Sequence, residues 1–186
     1  MADGRLFTVV GPSGAGKDTL LEAVDARCPD LHLVRRVITR PAEAGGEVFD
    51  DVSEAEFLRR RAEGRFALWW RAHGLFYGIP ATIDGVLARG GDVIFNGSRS
   101  VLQEAHARYP SLRVLHVTAP IPTLAARLAA RGREQAPEIA ARLERAGFAL
   151  PEWLAVRAIR NDGALEHAVQ AMLAELRPTE ARKCGD

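Results

Sequence analysis

The 186-residue chain carries 25 Lys and Arg against 24 Asp and Glu, a formal net charge of +1, with 47% hydrophobic and 26% charged residues. That balance describes an ordinary globular chain and supplies no strong positive field to hold nucleic acid or an anionic membrane, so neither is expected as a partner. No run approaches the ~18 apolar residues of a membrane span and no basic segment precedes an apolar signal core, so a cytoplasmic protein is expected.

In chain order, the apolar run Leu6–Val10 ends at Gly11, and residues 18–26 carry Leu20, Leu21 and Val24 at helical spacing, which predicts strand, glycine loop and helix. A second β-like run over residues 31–39 predicts one strand that stops at Arg40-Pro41, and residues 42–51 read as loop. Ser53 with Glu56 forms a capping-box pattern ahead of a short helix that Gly64 ends. Two strands, residues 66–70 and 75–77, are expected across a turn at His73-Gly74, then a helix over residues 80–88. Strand and helix then alternate: strand 93–95, helix 101–109, strand 112–118, helix 123–131, helix 138–146, strand 154–159, a turn at Asn161-Asp162-Gly163, and a last helix 164–176. Such alternation predicts a parallel sheet covered on both faces.

Gly11-Pro12-Ser13-Gly14-Ala15-Gly16-Lys17 is GxxxxGK between a predicted strand and a predicted helix, the context that makes the pattern a phosphate cradle. The glycines let backbone N–H groups converge on phosphate oxygens, and the helix N-terminus adds partial positive charge. Lys17 reaches the β- and γ-phosphates of a nucleotide. The next position is Asp18, where Ser or Thr normally meets Mg²⁺, and Thr19 follows. Two readings of Asp18 stand level: a Mg²⁺ ligand, directly or through water, or a cap for the helix start.

Arg36 and Arg40 fall near the end of the second predicted strand, at the mouth where a parallel sheet binds ligands. With Gly45, Gly46 and Glu47 they form a plausible loop for an acceptor phosphate. Trp69, Trp70 and Tyr77 read as core of a small flap, with Tyr77-Gly78 the best candidate for touching substrate. Arg127, Arg131, Arg133 and Arg142 bracket a polar stretch that has the look of a closing lid, where arginines stabilise a transferring phosphoryl group. Cys28 and Cys184 form no CxxC, and the five histidines form no HExxH or HxxxH pair, so a zinc site is not expected.

The motifs GPSGAGKDTL (residues 11–20), ITRP (38–41), AGGE (44–47), HGLFYG (73–78), NGSR (96–99), RGRE (131–134) and NDG (161–163) together resemble the guanylate kinase-like branch of nucleoside monophosphate kinases. Within that branch the chain is most similar to the ribose 1,5-bisphosphate phosphokinase (PhnN) family, over about residues 6–176. The Asp after the loop lysine and the NGSR block set this family apart from guanylate kinases. A guanylate kinase is expected to carry PRxGE and DYxF after its Thr-Arg, whereas residues 41–49 read PAEAGGEVF, so a guanine pocket is not supported.

The resemblance implies a three-layer α/β/α P-loop NTPase fold with a parallel central sheet, a small acceptor-binding flap and a lid. As a single domain it would have a core at residues 5–40 and 91–177, an insert at about 41–90 and a lid at about 131–137. The implied reaction consumes ATP with Mg²⁺ and a small sugar phosphate, ribose 1,5-bisphosphate, to give 5-phospho-α-D-ribose 1-diphosphate. The expected catalytic residues are Lys17, Arg131 and Arg142. The nucleotide side comprises residues 11–19 with Arg127, Arg131 and Arg133, and the acceptor side Arg36, Arg40, Glu47, Tyr77, Asn96, Arg99 and Arg142. Asn96 is read as a sugar-phosphate contact, with Asp18 supplying negative charge near magnesium. The competing readings are a kinase for GMP or another nucleoside monophosphate, and a non-catalytic module that binds protein partners.

Overall fold

The computed structural model describes residues 4–41, 48–130 and 150–176. At its centre lies β1 (Leu6–Val10), every residue of which is buried. Leu6 and Val10 pack into the cluster on one face of the sheet, Phe7 and Val9 into the cluster on the other. A strand covered on both faces reads as a continuous apolar run, which is why this one was visible in the sequence.

Beside β1 stand β7 (Val93–Asn96) and β8 (Arg113–Thr118), with β2 (His32–Leu33) and β9 (Val156–Arg160) outermost. The order is β2-β7-β1-β8-β9, all neighbours parallel. The chain therefore turns to opposite sides of β1 before and after β7, which opens a crevice at the carboxyl end of β1.

Helix α1 (Lys17–Asp25) and α6 (Leu165–Leu176) cover one face through Leu20, Leu21 and Val24 against Ala168, Val169, Met172 and Leu173. Helix α3 (Thr82–Ala88) and α4 (Leu102–Arg108) cover the other through Ile83, Leu102 and Ala105. Helix α5 (Ile121–Ala130) follows β8 and buries Leu124 and Leu128. At the end of the sheet away from the crevice, Arg5 is ion-paired with Asp92 and donates to the Leu176 carbonyl at 2.6 Å, tying together the starts of β1 and β7 and the last turn of α6.

Residues 31–39 depart from the expected single strand. Val34 N–H donates to Ile94 O at 2.9 Å, but Val37 pairs with Gly78 and Ile38 with Tyr77 in a different sheet. The run is thus two short strands, β2 and β3 (Val37–Ile38), and Arg36 lies where the backbone crosses between sheets. The second sheet has the order β4-β3-β6-β5, formed with β4 (Asp50–Asp51), β5 (Phe66–Ala72) and β6 (Leu75–Pro80).

Strands β5 and β6 make a hairpin whose turn residues His73 and Gly74 both have positive φ, 52° and 76°, the backbone a two-residue hairpin turn requires. Period-two alternation splits the hairpin from Leu68 onward, with Leu68, Trp70, Ala72, Tyr77 and Ile79 in the larger cluster and Trp69 and Phe76 on Phe57 of α2 (Glu54–Ala62); an irregularity between Phe66 and Leu68 brings Phe66 to the Phe57 side as well. Ser53 caps α2, its hydroxyl accepting from Glu56 N–H at 3.2 Å. The expected helix over residues 138–146 lies outside the described residues. Among those described, no helix is long and apolar enough to cross a membrane.

Candidate active site

The loop between β1 and α1 is shaped by what crowds it. Gly16 has φ 85°, and a Cβ there would stand 2.5 Å from Asn161 Nδ2; on Gly11 it would stand 2.2 Å from the Val117 carbonyl. Side chains at these positions would push the loop off the ends of β8 and β9, so glycine alone lets it curl closely enough for its N–H groups to face inward. Asn161 is 4% exposed and braces the curl: Nδ2 donates to the Ala15 carbonyl at 2.8 Å, while its own backbone N–H donates to Thr118 at 2.8 Å. Lys17 Nζ donates to the carbonyls of Gly11 at 2.9 Å and Pro12 at 3.1 Å, which places the ammonium across the loop's mouth. The three-residue spacing of Arg127 and Leu124 on α5 puts Arg127 beside the loop, its Nη1 3.5 Å from Gly14 O.

Asp18 does not cap α1. The N-cap is Gly16 and no side chain caps the helix; the Asp18 carboxylate instead accepts from Asn96 Nδ2 at 2.7 Å. Asn96 is 5% exposed, and its Oδ1 is buried without a hydrogen-bond partner. An unpaired buried carbonyl is costly, so this oxygen is suited to accept from a bound group or to face a cation. The described residues contain no group of three or more His, Cys, Asp and Glu able to cage a metal. Magnesium needs no such cage, since it keeps waters and substrate phosphates around one or two carboxylates. Asp18 with Asn96 Oδ1 fits that pattern.

Facing the phosphate loop across a cleft of about 430 Å³ are residues of the second sheet. Arg36 is 8% exposed, its guanidinium 5.2 Å from the centre of the Tyr77 ring and 5.8 Å from that of Trp70. Arg40 lies 4.4 Å over the Phe49 ring, and its Nε and Nη2 are buried with no hydrogen-bond partner. Asn96, Gly97, Ser98 and Arg99, at the end of β7, complete the walls.

Among the described residues, Lys17, Arg36, Arg40 and Arg99 therefore line the cleft against one carboxylate, Asp18. Half-buried His116 is in register with Val10 on β8, and burial followed by the charges of Arg99 and Lys17 pushes its pKa below the ordinary value. Its imidazole stays neutral near pH 7, leaving the fixed cations to set the field. The arrangement suits polyanionic ligands.

Of the residues expected from sequence, Gly11, Pro12, Ser13, Gly14, Gly16, Lys17, Asp18, Arg36, Arg40, Tyr77, Asn96 and Arg99 line this one cleft. Ala15 lies buried beneath the loop, and Thr19 is exposed on α1 away from the walls. Glu47, Arg131, Arg133 and Arg142 lie outside the described residues.

Trp70 and Tyr77 pack in the larger core cluster and Trp69 against Phe57 and Phe76, as core rather than an open stacking platform; hairpin alternation also brings Trp70 to the wall of the cleft and turns Trp69 away from it. Gly97, Ser98 and His73 also line the cleft, and Asn161 braces the loop. The NDG tripeptide marks Asn161 in the sequence, but as a turn signal it does not show that the side chain reaches Ala15.

A parallel sheet with a glycine loop after its central strand, a helix behind that loop and a cation-lined cleft opposite define a P-loop kinase. The fold matches a guanylate kinase from Anaplasma phagocytophilum at TM-score 0.66 with 18% identity, covering 99% of this chain and 90% of that one. A sugar kinase from Janibacter sp. HTCC2649 matches at TM-score 0.57 with 18% identity, over 96% and 97% of the two chains. No protein-family model matches.

The chain is 49% identical over 169 residues to ribose 1,5-bisphosphate phosphokinase PhnN of Ruegeria sp. (strain TM1040), covering 90% of this chain and 89% of that one. It is 46% identical over 176 residues to the PhnN of Rhizobium etli (strain CIAT 652), covering 93% and 89%. It belongs to the ribose 1,5-bisphosphate phosphokinase PhnN family. In the bifunctional ribose 1,5-bisphosphokinase-thymidine phosphorylase of Cupriavidus necator the similar part is 30% of a longer chain, at 45% identity over 177 residues.

Proposed function

We propose that the protein transfers the γ-phosphoryl group of ATP to the 1-phosphate of ribose 1,5-bisphosphate, giving ADP and 5-phospho-α-D-ribose 1-diphosphate. An oxygen of the 1-phosphate attacks Pγ, the bond from Pγ to the β,γ-bridging oxygen breaks, and that oxygen leaves on ADP. The attacking oxygen is already ionised at neutral pH, so no side chain has to remove a proton. What remains for the protein is alignment and charge stabilisation.

The observation that carries the reading is the Arg40 guanidinium, with Nε and Nη2 buried and unpaired on the wall facing the phosphate loop. Leaving buried donors unpaired costs ~1–3 kcal/mol, a penalty that a bound phosphate removes. Arg40, Arg36 and Tyr77 hold the acceptor's phosphates, and Lys17 with the N–H groups of the loop holds the β- and γ-phosphates. Arg99 stands at the end of β7 where the two meet. Asp18, oriented by Asn96, would hold Mg²⁺ together with the nucleotide. When bound, the ion offsets charge on the phosphate oxygens. Arg131, Arg133 and Arg142 are proposed to complete the charge around the transferring group, and Arg127 to steady the loop on the nucleotide side.

Purified protein is incubated with ATP, Mg²⁺ and either ribose 1,5-bisphosphate or GMP, and the products are identified by mass spectrometry. The expected result is 5-phospho-α-D-ribose 1-diphosphate from the sugar phosphate, lost in Lys17→Ala. ADP formed with GMP alone overturns the reading in favour of a nucleotide kinase, and no turnover with either acceptor overturns it in favour of a binding module.

A further inference from the structure

The geometry points to Trp70 as the residue that restricts the acceptor site to a sugar phosphate and shuts out a nucleoside monophosphate, an inference that rests on the phosphate-acceptor reading above. A tryptophan on the wall of a ligand cleft ordinarily offers a face on which a base can stack. Trp70 offers none. It is 5% exposed, and its ring lies parallel to Tyr77, interplanar angle 5°, with centroids 5.4 Å apart. The Arg36 guanidinium stands within cation–π range of both rings, 5.8 Å from Trp70 and 5.2 Å from Tyr77. Indole, phenol and guanidinium thus form one packed block, and the indole is a wall rather than a platform.

What surrounds the block also disfavours a base. Arg36, Arg40 and Arg99 line this side of the cleft, and a guanidinium only donates hydrogen bonds. The oxygens of a phosphate accept from several such donors at once, whereas a purine edge offers fewer acceptors. Space argues in the same direction. The cleft measures about 430 Å³ and borders the phosphate loop as well as the acceptor walls. Pockets for a single ligand run to ~300–1,000 Å³, so a cleft near the low end that serves two substrates suits an acceptor with no base. Neighbouring Trp69 does not share the role, because the strand's alternation packs it, half-buried, on the opposite face with Phe57 and Phe76.

The test compares Trp70→Ala and the bulkier Trp70→Leu with the wild-type protein. GMP binding is measured by titration calorimetry, and kcat/KM is measured for GMP and for ribose 1,5-bisphosphate, after a cooperative melt confirms that each variant folds. The wild-type protein is expected to bind no GMP at millimolar concentration. Trp70→Ala is expected to bind it and to shift the GMP to ribose 1,5-bisphosphate ratio of kcat/KM at least about tenfold toward GMP, with Trp70→Leu between them. Ready GMP binding by the wild-type protein overturns the inference, and so does a folded variant whose GMP binding and ratio are unchanged. If wild-type protein fails to phosphorylate ribose 1,5-bisphosphate, the proposed reaction falls by that result alone. The calorimetric comparison still decides whether Trp70 bars the base.

Discussion

Asn161 and Arg40 act on the cleft in opposite energetic senses. Asn161 is a satisfied buried group that holds the Ala15 carbonyl and presses on Gly16. Asn161→Ala leaves that carbonyl without its donor, which costs ~1–3 kcal/mol. The expected outcome is a lower melting temperature together with a KM for ATP raised about tenfold, while the KM for the acceptor changes little; steady-state kinetics with each substrate varied separates the two.

Arg40 is the reverse case, a guanidinium with two buried nitrogens unpaired. Arg40→Met replaces it with an apolar chain of similar length, and the ligand-free protein is expected to gain ~1 kcal/mol of stability while the acceptor KM rises by a factor on the order of a hundred. A variant that melts lower and keeps its acceptor KM would show that Arg40 is a structural group.

At the level of elements, the second sheet supplies the wall of the cleft that faces the phosphate loop. Its helix α2 begins at Ser53, whose hydroxyl accepts from Glu56 N–H, and the Glu56 carboxylate pairs with Arg59 and Arg60. Ser53→Ala removes the cap at a cost of ~1 kcal/mol, which for a chain of this size lowers the melting temperature by about 2–4 °C. Phosphoryl transfer at saturating substrates should not change, and differential scanning calorimetry beside a rate assay checks both. The hairpin is the more sensitive element. Trp70 and Tyr77 are a cross-strand pair in its register, so a slip of one residue would move both off the cleft.

For the whole molecule, near-zero net charge conceals a local excess of cations at the cleft, and His116 reports it. Burial, then Arg99 and Lys17, hold its pKa below the unfolded value of 6.5. As pH falls through 6.5 toward the folded pKa, the unfolded chain takes up a proton that the folded one resists, so stability declines with acid over that window.

The expected observation is a melting temperature lower at pH 5.5 than at pH 7.5, with part of the drop absent in His116→Gln. Glu56, held at about 2 by hydrogen bonds from Arg59 and Arg60, and Glu166, held at about 2 by Arg27, act elsewhere on the scale. Their contribution is present above about 4.5 and lost only as pH falls toward 2, so they do not confuse the comparison. An equal pH response in His116→Gln would show that His116 is not perturbed in the folded protein.

The phosphate loop was legible because its chemistry is local: strand, glycine positions, lysine and helix follow one another within residues 6–25, and backbone conformation there depends on the glycines themselves. Buried strands such as β1 and the positive-φ turn at His73-Gly74 were legible for the same reason. The split of residues 31–39 between two sheets was not, because a run of apolar residues with β propensity does not say which edge it pairs with. Nor could sequence choose between Trp69 and Trp70. Alternation says that they face opposite ways, but which face meets the cleft is set by β6 and by what packs on α2. The sequence by itself therefore determined the phosphate chemistry and the layered parallel sheet. Tertiary structure alone decided that Asp18 meets Asn96, that Asn161 braces the loop and that Arg40 stays unpaired, since each depends on segments 78 or more residues apart or on the absence of a partner in space.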